Sequence, residues 1–228
     1  MQKGEIIKGL KFTPAVWPVD LNSAANPGDY VSLKGYNRVM ALIMCNDTAG
    51  TCVVTALQAQ DVAETGAKAL GFDYAWKTGG RIKITSPTGI FTAGETITGA
   101  GGGEAVVATY GGTNKSVVEY HTQNGTAFVD GELITGGTSG YTANADGVSY
   151  DEDIMVKFAV TSDTFTIPDL HNKCYAIELR ADELDVENDF DCMSIYLAAA
   201  SGAGIGAVLY VLGEPMFSGD PMPSAIMD

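Results

Sequence analysis

The sequence FTAGETITG at residues 91–99 returns as FVDGELITG at residues 128–136, 37 residues further along the chain. Each copy carries an aromatic residue, a Gly-Glu pair, an aliphatic residue and a second glycine in the same order. This order is typical of a short β-hairpin, in which glycine adopts positive φ at the turn and glutamate faces water. A hairpin of this size cannot bury its own apolar face. The repeat therefore predicts an all-β fold in which the two copies pack on each other.

The repeat lies within residues 80–150, where glycine is frequent and bulky residues are sparse. This change of composition predicts a small, glycine-rich β module inserted into a larger β domain. Apolar positions in the strand-like stretches mark the side chains that we expect inside the module: Ile82, Ile84, Phe91, Ile97, Val106, Val118, Tyr120, Phe128, Ile134 and Tyr141.

The segments that flank the module predict the strands of one antiparallel β-sandwich. Strand 38–45 is aliphatic enough to be buried on both faces, and Val53 and Val54 suit a pleated core. Within 174–179, apolar and more polar residues alternate, as expected for a strand with one buried face. About eight strands result, the number of a jelly roll: 29–33, 38–45, 51–57, 154–160, 165–167, 174–179, 193–199 and 207–212.

Prolines and glycines mark the ends of this domain. Pro14 and Pro18 favour an edge strand or an arm that lies on a surface, and residues 218–223 predict an extended tail on a neighbouring subunit. Residues 58–69 are compatible with a short helix or with a strand and a loop. We therefore expect an N-terminal arm and the first part of the sandwich at 1–79, the module at 80–150, the second part of the sandwich at 151–217 and the tail at 218–228.

The charge balance limits the classes of partner. The chain has 228 residues with 13 basic and 28 acidic side chains, which gives a net charge of −15. Such a chain repels nucleic acid and anionic membrane surfaces, and it is compatible with a basic protein partner or simply with high solubility. The uncharged window 192–213 has Ser-Gly-Ala-Gly near its centre, which favours two buried strands over a membrane span. The first residues lack the apolar run of a signal peptide, so we expect no export.

Side chains that carry enzyme chemistry are few. His121 and His171 are the only histidines, no serine near them lies in a Gly-x-Ser-x-Gly elbow, and no Cys-x-x-Cys is present. The glycine-rich stretch 201–206 precedes a β-like run instead of the helix of a dinucleotide site. A glycosidase pair of carboxylates stays open, because sequence does not reveal their separation. We expect no enzyme activity, no cofactor and no metal.

An acidic run is the strongest electrostatic signal in the chain. Its residues suit either calcium or a solvated connection between strands, and the second interpretation is favoured. An EF-hand loop needs glycine and glutamate where counting from Asp185 finds Phe190 and Tyr196. The members of the run are Asp182, Glu183, Asp185, Glu187, Asp189 and Asp191.

Four cysteines, at 45, 52, 174 and 192, show no spacing typical of a metal site. Cys45 and Cys52 flank a turn-like stretch at 46–50, so a disulfide across a hairpin is geometrically conceivable. Without a secretion signal, buried free thiols are the favoured alternative.

Three stretches of the flanking segments resemble tailed-bacteriophage head proteins: 36–39 leading into an aliphatic strand, 58–70, and 177–186 continuing through a strand to 210–212. The pattern is similar to that of decoration, or cement, proteins and related small virion components. The Gly-Glu repeat also resembles repeats in phage structural proteins. The resemblance implies a virion protein, made in the bacterial host cytoplasm, that sits on the outside of the head as a homotrimer and clamps neighbouring major capsid proteins.

Three other functions are compatible with the sequence. A glycan- or receptor-binding module would use aromatic residues of the inserted module. A tail or baseplate component would share the β-rich build but assemble into rings or tubes. A polysaccharide depolymerase would need an acid pair that converges in a groove. We rank them in that order behind the capsid role.

Overall fold

The computed structural model describes residues 9–22, 24–45, 51–109, 116–121, 126–147, 150–160, 162–167 and 173–216. The chain forms two compact units. Unit 1 combines the segment up to Ala75 with the segment from Ala159 onward, and unit 2 is Trp76–Phe158. Strands dominate both units and their registers are antiparallel, so the predicted all-β fold is confirmed. The tail predicted at 218–228 and His171 lie outside the described residues.

Unit 1 contains two sheets. The first consists, in spatial order, of β1 (Leu10–Asp20), β17 (Ile205–Pro215), β4 (Tyr36–Cys45) and β15 (Lys173–Arg180). The second consists of β14 (Thr164–Ile167), β5 (Cys52–Ala59), β16 (Cys192–Leu197) and β2 (Asn26–Pro27). Two short strands extend it: β3 (Val31–Ser32) pairs with β16, and β6 (Lys68–Ala69) pairs with β5.

The two sheets of unit 1 enclose a core of alternating side chains. Val39, Ala41 and Ile43 of β4 are fully buried, as are Val54 and Ile195 of the second sheet. Tyr175, Ile177 and Leu179 are buried as the alternation predicts, although Ala176 between them is buried as well. Val53 was expected in the core and is 39% exposed instead, because its neighbour Val54 takes the inward position and adjacent strand residues face opposite sides.

A tyrosine joins the two sheets of unit 1. β16 pairs with β3 at Cys192–Met193 and with β2 at Tyr196–Leu197, so its ladder is interrupted between them. The Ile195 N–H lies in that interval and donates to the Tyr210 hydroxyl of the first sheet at 2.8 Å. Burial raises the pKa of Tyr210, so this hydroxyl stays protonated. The contact satisfies a buried amide that strand pairing leaves open.

Several strand predictions in unit 1 are confirmed. Among the described strands, β1 pairs with β17 alone, which is the edge position that its prolines favoured. The uncharged window 192–213 holds β16 and part of β17, and no helix among the described residues is long and apolar enough to cross a membrane. Residues 58–69, where two structures were open, contain the end of β5, a turn and β6.

Unit 2 is built around a closed ring of strands. In spatial order they are β7 (Tyr74–Thr85), β10 (Val117–His121), β9 (Glu104–Thr109), β8 (Thr96–Gly99), β11 (Leu133–Gly136) and β12 (Thr142–Ala145). β12 pairs again with β7, which closes a six-stranded antiparallel barrel. Closure leaves no free edge within the ring.

One further strand, β13 (Tyr150–Ala159), pairs with β7. Unit 2 spans Trp76–Phe158, so it extends beyond both ends of the predicted module at 80–150. The sequence placed residues 154–160 in the sandwich because their apolar density matches that of the flanking strands. The pairing of β13 with β7 places most of this strand in unit 2. The density of apolar residues does not reveal such a pairing between segments that are distant in the sequence.

Candidate functional site

The two copies of the repeated motif lie side by side in the barrel, as the sequence predicted. β8 and β11 pair antiparallel, with Thr98 opposite Thr135, Gly99 opposite Ile134 and Ile97 opposite Gly136. A shift of 37 residues exchanges the two members of each pair. The two copies are therefore related by a local two-fold axis that passes between Thr98 and Thr135.

The same symmetry holds on the opposite side of the barrel. Ile82 of β7 lies opposite Val118 of β10, and here a shift of 36 residues exchanges the flanking pairs, Lys83 opposite Val117 and Arg81 opposite Glu119. β9 connects β8 to β10, and β12 connects β11 to β7. Three successive strands, β7 to β9, are thus repeated as β10 to β12. The duplication is longer than the nine-residue motif that reveals it in the sequence.

The carboxylate of Glu95 binds the turn that follows the other copy of the motif. Its Oε2 accepts hydrogen bonds from the N–H groups of Thr138 at 3.1 Å and Ser139 at 2.9 Å. Its Oε1 accepts from the Ser139 hydroxyl at 3.0 Å and from the Thr92 N–H of its own turn at 2.5 Å. Burial acts to raise the pKa of Glu95, but the bonds from Ser139, Thr92 and Thr138 together outweigh it and the pKa is lowered. The side chain is held as a carboxylate.

Glu132 makes the equivalent contacts from the second copy. Its Oε1 accepts from the Val129 N–H of its own turn, and its Oε2 accepts from the Gly101 N–H of the turn after β8, both at 3.0 Å. Gly101 and Thr138 are equivalent positions, 37 residues apart. Each glutamate therefore braces its own turn and the exit turn of the other copy.

The structure explains why glycines occupy the same positions in both copies of the motif. Gly94 and Gly131 adopt φ of 86° and 79°, which side chains rarely tolerate. A Cβ on Gly136 would lie 2.7 Å from Oε2 of Glu95, and one on Gly99 would lie 2.5 Å from Oε1 of Glu132. The first glycine of each copy makes the turn, and the last leaves room for the glutamate of the other copy.

The barrel interior consists of equivalent pairs of side chains. Tyr120 and Phe128 meet edge to face with ring centroids 5.8 Å apart, an arrangement that aromatic rings favour. The repeated motif relates Phe91 to Phe128. The register relates the other ten members of this buried cluster two by two: Ile82 with Val118, Ile84 with Tyr120, Ile97 with Ile134, Ala105 with Ala143 and Val107 with Ala145.

Three predictions for the module are corrected by the structure. Glu95, expected to face water, is only 4% exposed because backbone amides surround its carboxylate. Val106 points away from the core, since β9 turns Ala105 and Val107 inward. Tyr141 is 42% exposed and lies over Gly89, where an added Cβ would come within 2.3 Å of the ring. The other eight predicted inner residues are buried.

The acidic run connects β15 to β16 through two 3-10 turns, Ala181–Glu183 and Val186–Asn188. Three of its carboxylates are ion-paired: Asp182 with Arg180 at 2.8 Å, Asp191 with Lys34 at 3.1 Å, and Asp185 with Lys68. Within the described part of the chain, no three His, Cys, Asp or Glu side chains come together as a metal-binding group.

Asp185 is the centre of this connection. Lys68 and Asn188 donate to its carboxylate, and they lower its pKa, with Lys68 the larger cause. Its own N–H donates to the Gln58 side chain of β5 at 2.9 Å. Lys68 also lies over the ring of Phe190 with its Nζ 4.0 Å from the centroid. The run is therefore a largely exposed connection between β15 and β16, as the favoured interpretation expected, and Gln58 and Lys68 tie it to neighbouring strands.

The four cysteines are free thiols. Cys45, Cys52 and Cys192 are buried and Cys174 is half-buried, so the favoured prediction of buried thiols is confirmed for three of them. Burial raises the pKa of Cys45 to about 12, with smaller contributions from Cys52 and Cys174, and burial raises the pKa of Cys52 to about 11. Thiols with such pKa values are poor nucleophiles at neutral pH.

The remaining candidates for catalysis are dispersed. Burial first, and Lys77 second, lower the pKa of His121 to about 4, so the ring is neutral and a weak base at neutral pH. Unit 1 has an open depression of about 440 Å³ that is lined by Asp73, Ser162 and Asp163 together with Ala69, Gly71 and Phe72. Its lining contains no histidine, and His121 belongs to the other unit.

No family model matches the sequence, and a search of curated proteins finds no match. Two similar solved structures come from infectious bursal disease virus. The VP2 subviral particle has 8% identity over 90% of this chain and 80% of that chain, with a TM-score of 0.17. The Gx strain structure has 6% identity over 89% and 80%, with a TM-score of 0.16. Likeness at this level carries no argument about function.

Proposed function

We propose that this chain is a virion structural protein, and specifically a decoration protein that binds the outside of a phage head and stabilises contacts between major capsid proteins. The observation that carries the proposal is the use of acidic side chains. Glu95, Glu132 and Asp185 are engaged by backbone amides, lysine or amide side chains of the fold itself. Carboxylates that complete turns and loops support a rigid scaffold better than a reaction centre. We propose no enzyme activity.

Two properties make such a scaffold suitable for a capsid surface. A closed barrel leaves no free edge within its ring, which suppresses unwanted strand pairing between crowded copies. The net charge of −15 keeps decorated particles apart. We propose a homotrimer, because several weak contacts on one particle combine into tight attachment, and we propose that the tail at 218–228, outside the described residues, touches a neighbouring subunit.

Heads assembled without this chain provide the test. Purified protein is titrated onto them and bound protein is measured by co-sedimentation, with heads that already carry it as the control. We expect binding that saturates at a fixed ratio to the major capsid protein, and an increased temperature of DNA release. Protein that stays in the supernatant at every concentration would contradict the proposal.

A glycan- or receptor-binding role is the second candidate, and the outer surface of the barrel favours it. Thr98, Thr135 and Thr142 lie side by side across three strands, and Thr88 bonds to Thr142. The exposed ring of Tyr141 is next to this row in the sequence. Hydroxyl groups beside an aromatic ring suit a sugar. Glycan-array binding by the full chain that Tyr141→Ala abolishes would place this role first.

A further inference from the structure

The first sheet of unit 1 has an apolar outer face as well as an apolar inner one. In the register, Phe12 lies opposite Val211, which lies opposite Met40, and Leu209 lies opposite Leu42. These side chains point away from the second sheet, because the neighbouring positions Val39, Ala41 and Tyr210 point into the core. We call the set the outer apolar face: Phe12, Met40, Leu42, Met44, Ala176, Ile205, Ala207, Leu209 and Val211.

Large members of the outer apolar face are exposed. Phe12, Met44 and Ile205 are 45%, 46% and 48% exposed, whereas Val211 and Ala176, which lie among them, are 7% and 4% exposed. Antiparallel sheets with one solvated face normally carry polar side chains there. Two apolar faces on one sheet indicate that both are covered in the working assembly.

The distribution of charge on the outer apolar face indicates which kind of partner surface it can contact. Among the described residues of these four strands, charged side chains on this face lie towards its ends: Arg38 ion-paired with Glu178 and Glu214 at one, and Asp20 at the other. The middle offers no counter-ion, so a charged partner surface would be desolvated without compensation. The partner surface must be apolar and uncharged, and a second copy of this same face meets both requirements.

The size of the face is sufficient for a specific contact. Four strands about 4.8 Å apart, and eight steps of about 3.3 Å along β17 from Ile205 to Gly213, give a footprint of about 500 Å². Two such footprints bury about 1,000 Å², which reaches the lower limit of specific interfaces. Pro14 and Pro18 also disfavour pairing at the free edge of β1, so copies would meet through the face and not through the edge.

We infer that the outer apolar face is the surface through which copies of this chain contact each other. Three such faces turned towards a common axis would enclose an apolar interior, and two would pack as a sandwich. The inference is independent of head binding, because a chain can self-associate without binding heads and can bind heads as a monomer.

The mass of the full chain in solution tests this inference, by sedimentation equilibrium across a concentration series. We expect an oligomer, and we expect its association to strengthen with added salt, since salt screens the repulsion between chains of charge −15. The double variant Met44→Lys, Ile205→Lys and the single variant Phe12→Lys should be monomeric with unchanged circular dichroism. Leu133→Lys, at an exposed position of unit 2 with a similar 48% exposure, is the matched control and should remain oligomeric.

Two results would overturn the inference. A wild-type chain that stays monomeric at about 100 μM, which is 100 times a Kd of about 1 μM, would show that the face does not mediate self-association. An oligomer that persists in both the double variant and Phe12→Lys is assembled through another surface. Head binding, measured separately by co-sedimentation, distinguishes failure of this inference from failure of the decoration role.

Discussion

Replacement of Glu95 by glutamine separates the structural role of this carboxylate from that of its symmetry mate. The variant Glu95→Gln keeps the shape of the side chain and removes its charge and one acceptor oxygen. Glu132→Gln makes the same chemical change at the equivalent position, which is half-buried and accepts two backbone hydrogen bonds where Glu95 accepts four hydrogen bonds in all. The pair is an internal control.

The magnitude follows from the contacts. The best orientation of the glutamine keeps its oxygen towards Thr138 and Ser139 and turns its amide towards Thr92, whose N–H then loses its acceptor. A hydrogen bond to a charged group contributes about 1.5–3 kcal/mol and a buried unsatisfied donor costs about 1–3 kcal/mol. We therefore expect Glu95→Gln to destabilise unit 2 by about 2–3 kcal/mol. Water can replace the partly exposed contacts of Glu132, so Glu132→Gln should cost about 1 kcal/mol or less.

Fluorescence reports the unfolding of unit 2 by itself. The chain has two tryptophans, Trp17 in unit 1 and Trp76 in unit 2, so a Trp17→Phe background leaves Trp76 as the single probe. For a unit of this size, 2–3 kcal/mol corresponds to a decrease in Tm of about 10–20 °C. Hydrogen exchange at the Thr92 amide, which loses its acceptor, should accelerate in Glu95→Gln and remain unchanged in Glu132→Gln.

The pH dependence of stability provides a second test of the role of Glu95. The pKa of Glu95 is lowered in the folded chain, so its contribution is present above the unfolded pKa of about 4.3 and is lost as pH falls through the folded pKa. Glu95→Gln should remove this part of the acid destabilisation. Equal losses of stability in the two glutamine variants, or a loss below about 0.5 kcal/mol in Glu95→Gln, would refute the reasoning.

Three further predictions concern the rest of the fold. Tyr210→Phe strands a buried amide across the sandwich and should destabilise unit 1 by about 1–3 kcal/mol in urea unfolding. Gly136→Ala places a Cβ 2.7 Å from a buried carboxylate oxygen and should lower the Tm of unit 2, whereas Gly71→Ala, where the Cβ meets open space, should not change stability. Cys45 and Cys52, with pKa values raised to about 12 and 11, should resist iodoacetamide at pH 8 until the chain is unfolded, as mass spectrometry can show.

The sequence allowed much of this fold to be predicted, because its signals are local. Alternation in 174–179 and the prolines of β1 depend on neighbouring residues and identified a buried strand and an edge strand. The repeat was visible because glycine and glutamate are required at fixed positions in both copies. The strands that complete the duplication, β7 and β10, share only the spacing of their apolar residues. Their equivalence is therefore visible in the strand register and not in the amino-acid sequence.

The errors have a different physical origin. Glutamate after a turn glycine normally faces water, and only the proximity of a turn 43 residues away makes Glu95 a buried acceptor. Val106 and Val107 are equally apolar, so their order along β9 does not reveal which one faces the interior. The acidic run was correctly predicted as a connection between strands, but its ion pair with Lys68 could not be predicted, because Lys68 lies 117 residues earlier in the chain than Asp185. Contacts between distant segments decided each case.

A difference density map between heads before and after addition of the purified protein is the most direct test of the central claim that this chain decorates a capsid. We expect extra density on the outer surface, at symmetry-related positions that bridge neighbouring major capsid proteins, with the volume of a two-unit β protein. Extra density confined to a tail or baseplate, or an unchanged head surface at saturating protein, would contradict it.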